Sequence, residues 1–92
     1  MKKLLVISSA PAVLINGKPF LDIKFCEGMR YYCDAWDGPV TSILRAQETP
    51  FPFGQSYDRT ELPFELRLIS DGSSVDRSIV EEFDVVLCGG DS

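Results

Sequence analysis

Apolar positions fall along this chain in short blocks of two kinds. Leu4-Leu5-Val6-Ile7 is a continuous aliphatic run between Lys3 and Ser8, the pattern of a strand buried on both faces. Ser8 to Pro11 then reads as a loop. Val13-Leu14-Ile15 and Lys18-Pro19-Phe20-Leu21 flank Asn16-Gly17. Asn-Gly between apolar runs is the strongest short hairpin signal, because a type I′ turn needs positive φ at both central residues. Pro19 lacks the N–H that a ladder uses, which limits the second arm to an edge. From Asp22 to about Trp36 the period becomes helical: Cys26, Met29, Cys33 and Trp36 form one stripe, while Glu27, Arg30, Asp34 and Asp37 point elsewhere. Asp22 suits the N-cap, and Gly38-Pro39 suits the stop. Gly28 inside this span costs about 1 kcal/mol relative to alanine, which implies a close backbone approach or a helix starting nearer Glu27.

Val40 to Leu44 follows as a second aliphatic, β-branched strand. Ala46 to Leu62 carries Pro50, Pro52 and Gly54 without an apolar period and predicts a long irregular loop, either a substrate lid or a meandering connection. Phe64 to Ile69 alternates Phe64, Leu66 and Leu68 with Glu65 and Arg67, a strand with one exposed face. Ser70 to Ser74 turns the chain. A short helix from Asp76 to Phe83 leads into Asp84 to Cys88, a fourth, buried strand. These elements predict an α/β fold: a Rossmann-like half domain of about four mostly parallel strands, order 3-2-1-4, with two helices and an inserted hairpin. A last strand buried on both faces needs a covering helix, so residues 1–92 read as the front piece of a longer protein.

Composition narrows the chemistry. Ninety-two residues make one small domain, and 45% hydrophobic with 25% charged residues is an ordinary globular balance. Histidine is absent, which removes Ser-His-Asp triads, Cys-His dyads and His-containing zinc sites. Nine basic against fourteen acidic residues give a net charge of −5, the wrong sign for holding a nucleic-acid backbone. Three cysteines, Cys26, Cys33 and Cys88, without a CxxC fit neither a closed disulfide framework nor a zinc ribbon. Cys26 and Cys33 stand roughly 10.5 Å apart along a helix axis, too far to pair. All three read as core residues. The start imitates a secretory signal, but Ser8-Ser9 stop the apolar run after four residues where about 7–15 are needed. No run approaches the roughly 18 apolar residues of a membrane span. A cytoplasmic location follows as the expectation.

Few residues are placed for chemistry. Gly89-Gly90 after a buried strand either brings backbone amides to a phosphate or is a simple turn. Ser8 and Ser9 end the first strand, where open α/β sheets place ligands, or are ordinary loop serines. Asp91 is the one acid at a strand end, either a ligand-binding group or part of a disordered tail. Glu81 with Glu82 reads as a solvated face, and neither it nor Asp34 with Asp37 or Glu61 with Glu65 has partners suggesting general acid and base roles. No catalytic group, metal ligand or cofactor is assigned.

The strings KKLLVISSAP, GKPFLDIKFCEGMRYYCDAWDGPVTSILR, ELPFELRLI and FDVVLCGGD resemble the N-terminal domain of group 1 glycosyltransferases of the GT-B architecture, in which two Rossmann-like domains face a cleft. The resemblance spans nearly the whole chain but only the front quarter or so of such an enzyme. It implies the acceptor side of a reaction that moves a sugar from a nucleotide sugar to an acceptor sugar. The chain alone is expected to be inactive, since the donor-binding half is missing. The family's C-terminal acidic motif and its frequent N-terminal histidine have no counterpart here. By this resemblance Ser8, Ser9, Ala10 and Pro11 occupy one cleft-facing loop, and Gly89, Gly90 and Asp91 another. The alternative is a small α/β binding or interaction module without catalysis. As a fragment the chain is expected to pair as a homodimer over its uncovered last strand.

Overall fold

The structure is a computed structural model that describes residues 2–69 and 77–89. In chain order it runs β1 (Leu4–Ile15), β2 (Lys18–Asp22), α1 (Ile23–Ala35), β3 (Val40–Ala46), β4 (Gly54–Ser56), a 3-10 turn at Arg59–Glu61, β5 (Glu65–Ile69), α2 (Arg77–Val80) and β6 (Val85–Gly89). The strands join in one six-stranded mixed sheet organised around β1. On one side β1 pairs in parallel with β3, which pairs in parallel with β5. On the other side its first half pairs in parallel with β6 and its second half antiparallel with β2, which carries β4. The four parallel strands therefore stand in the order β5-β3-β1-β6, as the aliphatic blocks predict. The expected count of about four is corrected to six, because both the hairpin arm and a short strand inside residues 46–62 join the sheet.

The Asn-Gly turn forms as read, with Asn16 at φ 52° and Gly17 at φ 80°. Pro19, however, does not make β2 an edge: β2 lies between β1 and β4, and Pro19 is fully buried. The reason is local. β4 pairs only Phe20, Leu21 and Asp22, and at Pro19 it asks for a carbonyl alone, which accepts from the Tyr57 N–H at 2.9 Å.

α1 begins at Ile23, one residue after its cap. Asp22 Oδ1 accepts from the Lys24 and Phe25 amides at 2.8 and 3.2 Å, satisfying two of the donors that a helix start leaves open. Its stripe packs as expected: Cys26 and Met29 are buried and Cys33 and Trp36 partly so, whereas Glu27 and Arg30 are exposed. They meet Leu4, Val6 and Ala12 of β1, Leu21, Val40, Leu44 and Leu66 in one apolar cluster. At the other end Trp36 Nε1 donates to the Lys2 carbonyl at 3.0 Å. Gly38, at φ 153°, passes so close that a Cβ would run into the same carbonyl.

The face opposite α1 is also closed, with Leu5 and Ile43 only 0% and 2% exposed. There the Arg67 guanidinium lies 5.5 Å from the centre of the Phe83 ring and 3.5 Å from Glu82, which places the chain after α2 on that face. Of the helix expected from Asp76 to Phe83, α2 forms Arg77–Val80; Asp76 and the Ser70–Ser74 turn lie outside the described residues.

The region expected to be an irregular loop is pinned at several points. Gln47 N donates to the Ala12 carbonyl, and Ile23 N to that of Phe53. Phe20 and Phe51 meet edge-on with centroids 4.9 Å apart, over Gly54, where any Cβ would strike both rings. The chain then crosses from the β4 edge to the β5 edge, with Tyr57 and Leu62 packed on the core. Arg59 Nη1 ends on the outer edge of β5, donating to the Leu66 carbonyl at 2.8 Å.

Candidate functional site

Through β2 and α1 the chain passes from β1 to β3 on one side, while β6 lies on the other, so the order of parallel strands reverses between β1 and β6, where the carboxyl end of β6 meets the middle of β1. Open α/β sheets bind ligands at such a reversal. The register places Ser8 directly opposite Gly89 there.

Ser8 to Pro11, expected as a loop, instead lies inside β1. The register with β3 steps from Ile7↔Ile43 to Pro11↔Arg45, four residues against two, so the segment is a bulge with two extra residues. An even insertion leaves the side-chain alternation intact, and Ala12 stays on the same face as Leu4 and Val6. The Ser8 hydroxyl oxygen accepts from the Ala10 N–H at 3.1 Å, a Ser-centred turn that stabilises the bulge. Pairing of Ala12 with both Ala46 and Leu21 holds the segment extended despite its turn-prone composition.

Of the seven residues singled out, the bulge and register bring Ser8 and Gly89 together. Ser9 is exposed on the bulge, Pro11 is half-buried opposite Arg45, and the Ala10 methyl packs on the core. Gly90 and Asp91 lie outside the described residues.

Beside Ser8 the structure opens a groove that sequence reasoning missed. It holds about 130 Å³ and runs between α1 and β1, floored by Val6, Ser8 and Met29 and walled by Lys24, Phe25, Gly28 and Tyr32. The helix begins at Ile23 and a Cβ at Gly28 would meet nothing within 4 Å, so neither explanation offered for that glycine holds. The signal was present as Lys24, Gly28 and Tyr32 at four-residue spacing, but only the structure sets that line against Ser8.

The remaining reactive groups are quiet. Burial pushes the Cys26 thiol up, although the adjacent Tyr57 hydroxyl opposes the change. The Tyr57 phenol is itself pushed up to about 12 by burial and by Cys26. Burial also raises Cys33, whose Sγ donates to the Pro63 carbonyl at 3.6 Å. Neither thiol has the electropositive surroundings of a nucleophile. Cys88, expected in the core, is exposed, because β1 alone flanks β6 among the described residues. Glu65 is tied to Arg67 at 3.1 Å rather than to Glu61. Among the described residues no three His, Cys, Asp or Glu side chains gather to hold a metal ion, and no helix is long and apolar enough to cross a membrane. No protein-family model, curated protein or solved structure matches the chain.

Proposed function

We propose that the chain is the acceptor-side, N-terminal portion of a GT-B-type glycosyltransferase, a Rossmann-like half whose ligand edge lies where the carboxyl end of β6 meets Ser8 of β1. The observation that supports this reading is the reversal of strand order at Ser8 and Gly89 in the parallel set β5-β3-β1-β6. In such an enzyme this half holds the acceptor sugar and the other half holds the nucleotide sugar. Binding without turnover is the result for this chain alone. In a titration with candidate acceptor sugars, amide resonances of Ser8, Ser9 and Gly89 shift, and incubation with nucleotide sugars releases no nucleotide above background. Steady nucleotide release by the pure chain, or shifts confined to residues far from this edge, overturns the reading.

One observation favours a second reading, a small binding module without catalysis. β1 does not yield to a loop and helix at its ligand edge but continues through the bulge into a hairpin, so the edge is a surface of a continuous strand. A chain that binds a protein or peptide at this edge and no saccharide fits that module.

A further inference from the structure

α1 departs from helix composition twice along one line of its surface. Lys24 stands in the first turn, against the positive end of the helix dipole; the Asp22 cap accepts from its amide, and the turn itself holds no acidic residue. Gly28 stands one turn further on, in the interior, where only proline is less favourable. No positive φ requires it and no neighbour crowds it. Tyr32, 39% exposed, completes the line at the next turn. All three border the groove beside Ser8. Local rules broken together at one place mark a site where something other than the fold sets the residues.

We propose that this groove binds a phosphorylated sugar. Lys24 supplies a compact cation for the phosphate, and no ion-pair partner occupies it among the described residues. The Ser8 oxygen already accepts from Ala10, which leaves its O–H free to donate to a ligand oxygen. The missing side chain at Gly28 lets a ring lie against the helix backbone, with Tyr32 as an aromatic rim and Val6 and Met29 as an apolar floor. The volume, about 130 Å³, equals roughly four water volumes, enough for the charged end and one face of a ring. This rests on the acceptor-side reading and adds to it the class of acceptor.

The test is a two-dimensional amide NMR titration of the 92-residue chain with glucose 6-phosphate, inorganic phosphate and glucose in separate arms. Glucose 6-phosphate shifts Ser8, Lys24, Gly28 and Tyr32 and binds at least tenfold more tightly than either other probe. Lys24→Met weakens it at least tenfold. Gly28→Ala is the sharper variant, since its two effects have opposite sign: the urea midpoint rises because alanine is the better helix former in open space, while glucose 6-phosphate binding falls at least tenfold. A Gly28→Ala protein that is more stable and binds unchanged overturns the proposal, as does the absence of shifts with all three probes. Equal affinity for inorganic phosphate overturns the sugar and leaves an anion site at Lys24. Shifts at Ser9 and Gly89 without any at Gly28 overturn the groove and leave the acceptor-side reading standing.

Discussion

Gly38 shows how one residue can fix the junction between a helix and a strand. Its φ of 153° and the Lys2 carbonyl against its Cα hydrogens leave no room for a methyl group. That carbonyl also receives the indole of Trp36, the single tryptophan. Gly38→Ala is therefore expected to lose about 1–3 kcal/mol of stability. Urea unfolding followed by tryptophan fluorescence measures it, and an unchanged midpoint contradicts the crowding argument. Tyr57 carries a pH dependence with a definite sign. Its phenol ionises near 12 in the folded chain against an ordinary value of 10.0. The unfolded state thus loses its proton first, and the stabilisation, complete below pH 10, disappears as pH rises towards 12. Cys26, raised from 9.0, adds a loss of the same sign that begins lower. Melting temperature should fall through this alkaline range in the native chain and fall less steeply in Tyr57→Phe.

At the scale of elements, α1 depends on its first turn. Asp22 accepts from two amides there, and Asp22→Ala should cost about 1 kcal/mol, read as a lower urea midpoint with the same slope. This helix was legible in the sequence because cap, stripe and stop all agreed. So were the aliphatic blocks and their parallel order, since a continuous run such as Leu4 to Ile7 has few other places to go. Three elements were not legible, and each for a tertiary reason. Ser8 to Pro11 has the chemistry of a turn, but pairing of Ala12 on both sides keeps it in β1. Gly54–Ser56 has no apolar alternation; its strand is specified by β2 and by the Phe20 ring lying over Gly54. Pro19 sits inside the sheet because its neighbour needs only a carbonyl. The same limit applies to the groove: Gly28 was conspicuous as a helix residue, but its meaning depends on facing Ser8, which no local pattern records.

For the whole molecule the edges of the sheet decide how copies meet. β5 is guarded by Arg59 on the Leu66 carbonyl and by the charged pair Glu65 and Arg67, and β4 is three polar or small residues long. β6 has no such protection: Val85-Val86-Leu87-Cys88 is uncharged, Leu87 is 37% exposed, and among the described residues no strand flanks its outer side. The chain should therefore pair through β6 as an antiparallel dimer, rather than by exchanging the hairpin, whose second arm is held between β1 and β4. Light scattering at tens of micromolar should give twice 10.3 kDa, and Leu87→Lys should return it to 10.3 kDa by setting like charges across the twofold. A monomeric native chain contradicts this. The position of β1 also bears on how the protein is made. The bond from Lys3 N–H to the Asp84 carboxylate, 2.7 Å long, spans 81 residues. At about 5–20 residues per second, synthesis separates those partners by roughly 4–16 s. Of the described strands β1 is thus made first, and its first half gains its second neighbour only when β6 follows. For those seconds Leu4 to Ile7 is an open aliphatic edge on a nascent chain, and Lys2 and Lys3 are the charges that stand guard over it.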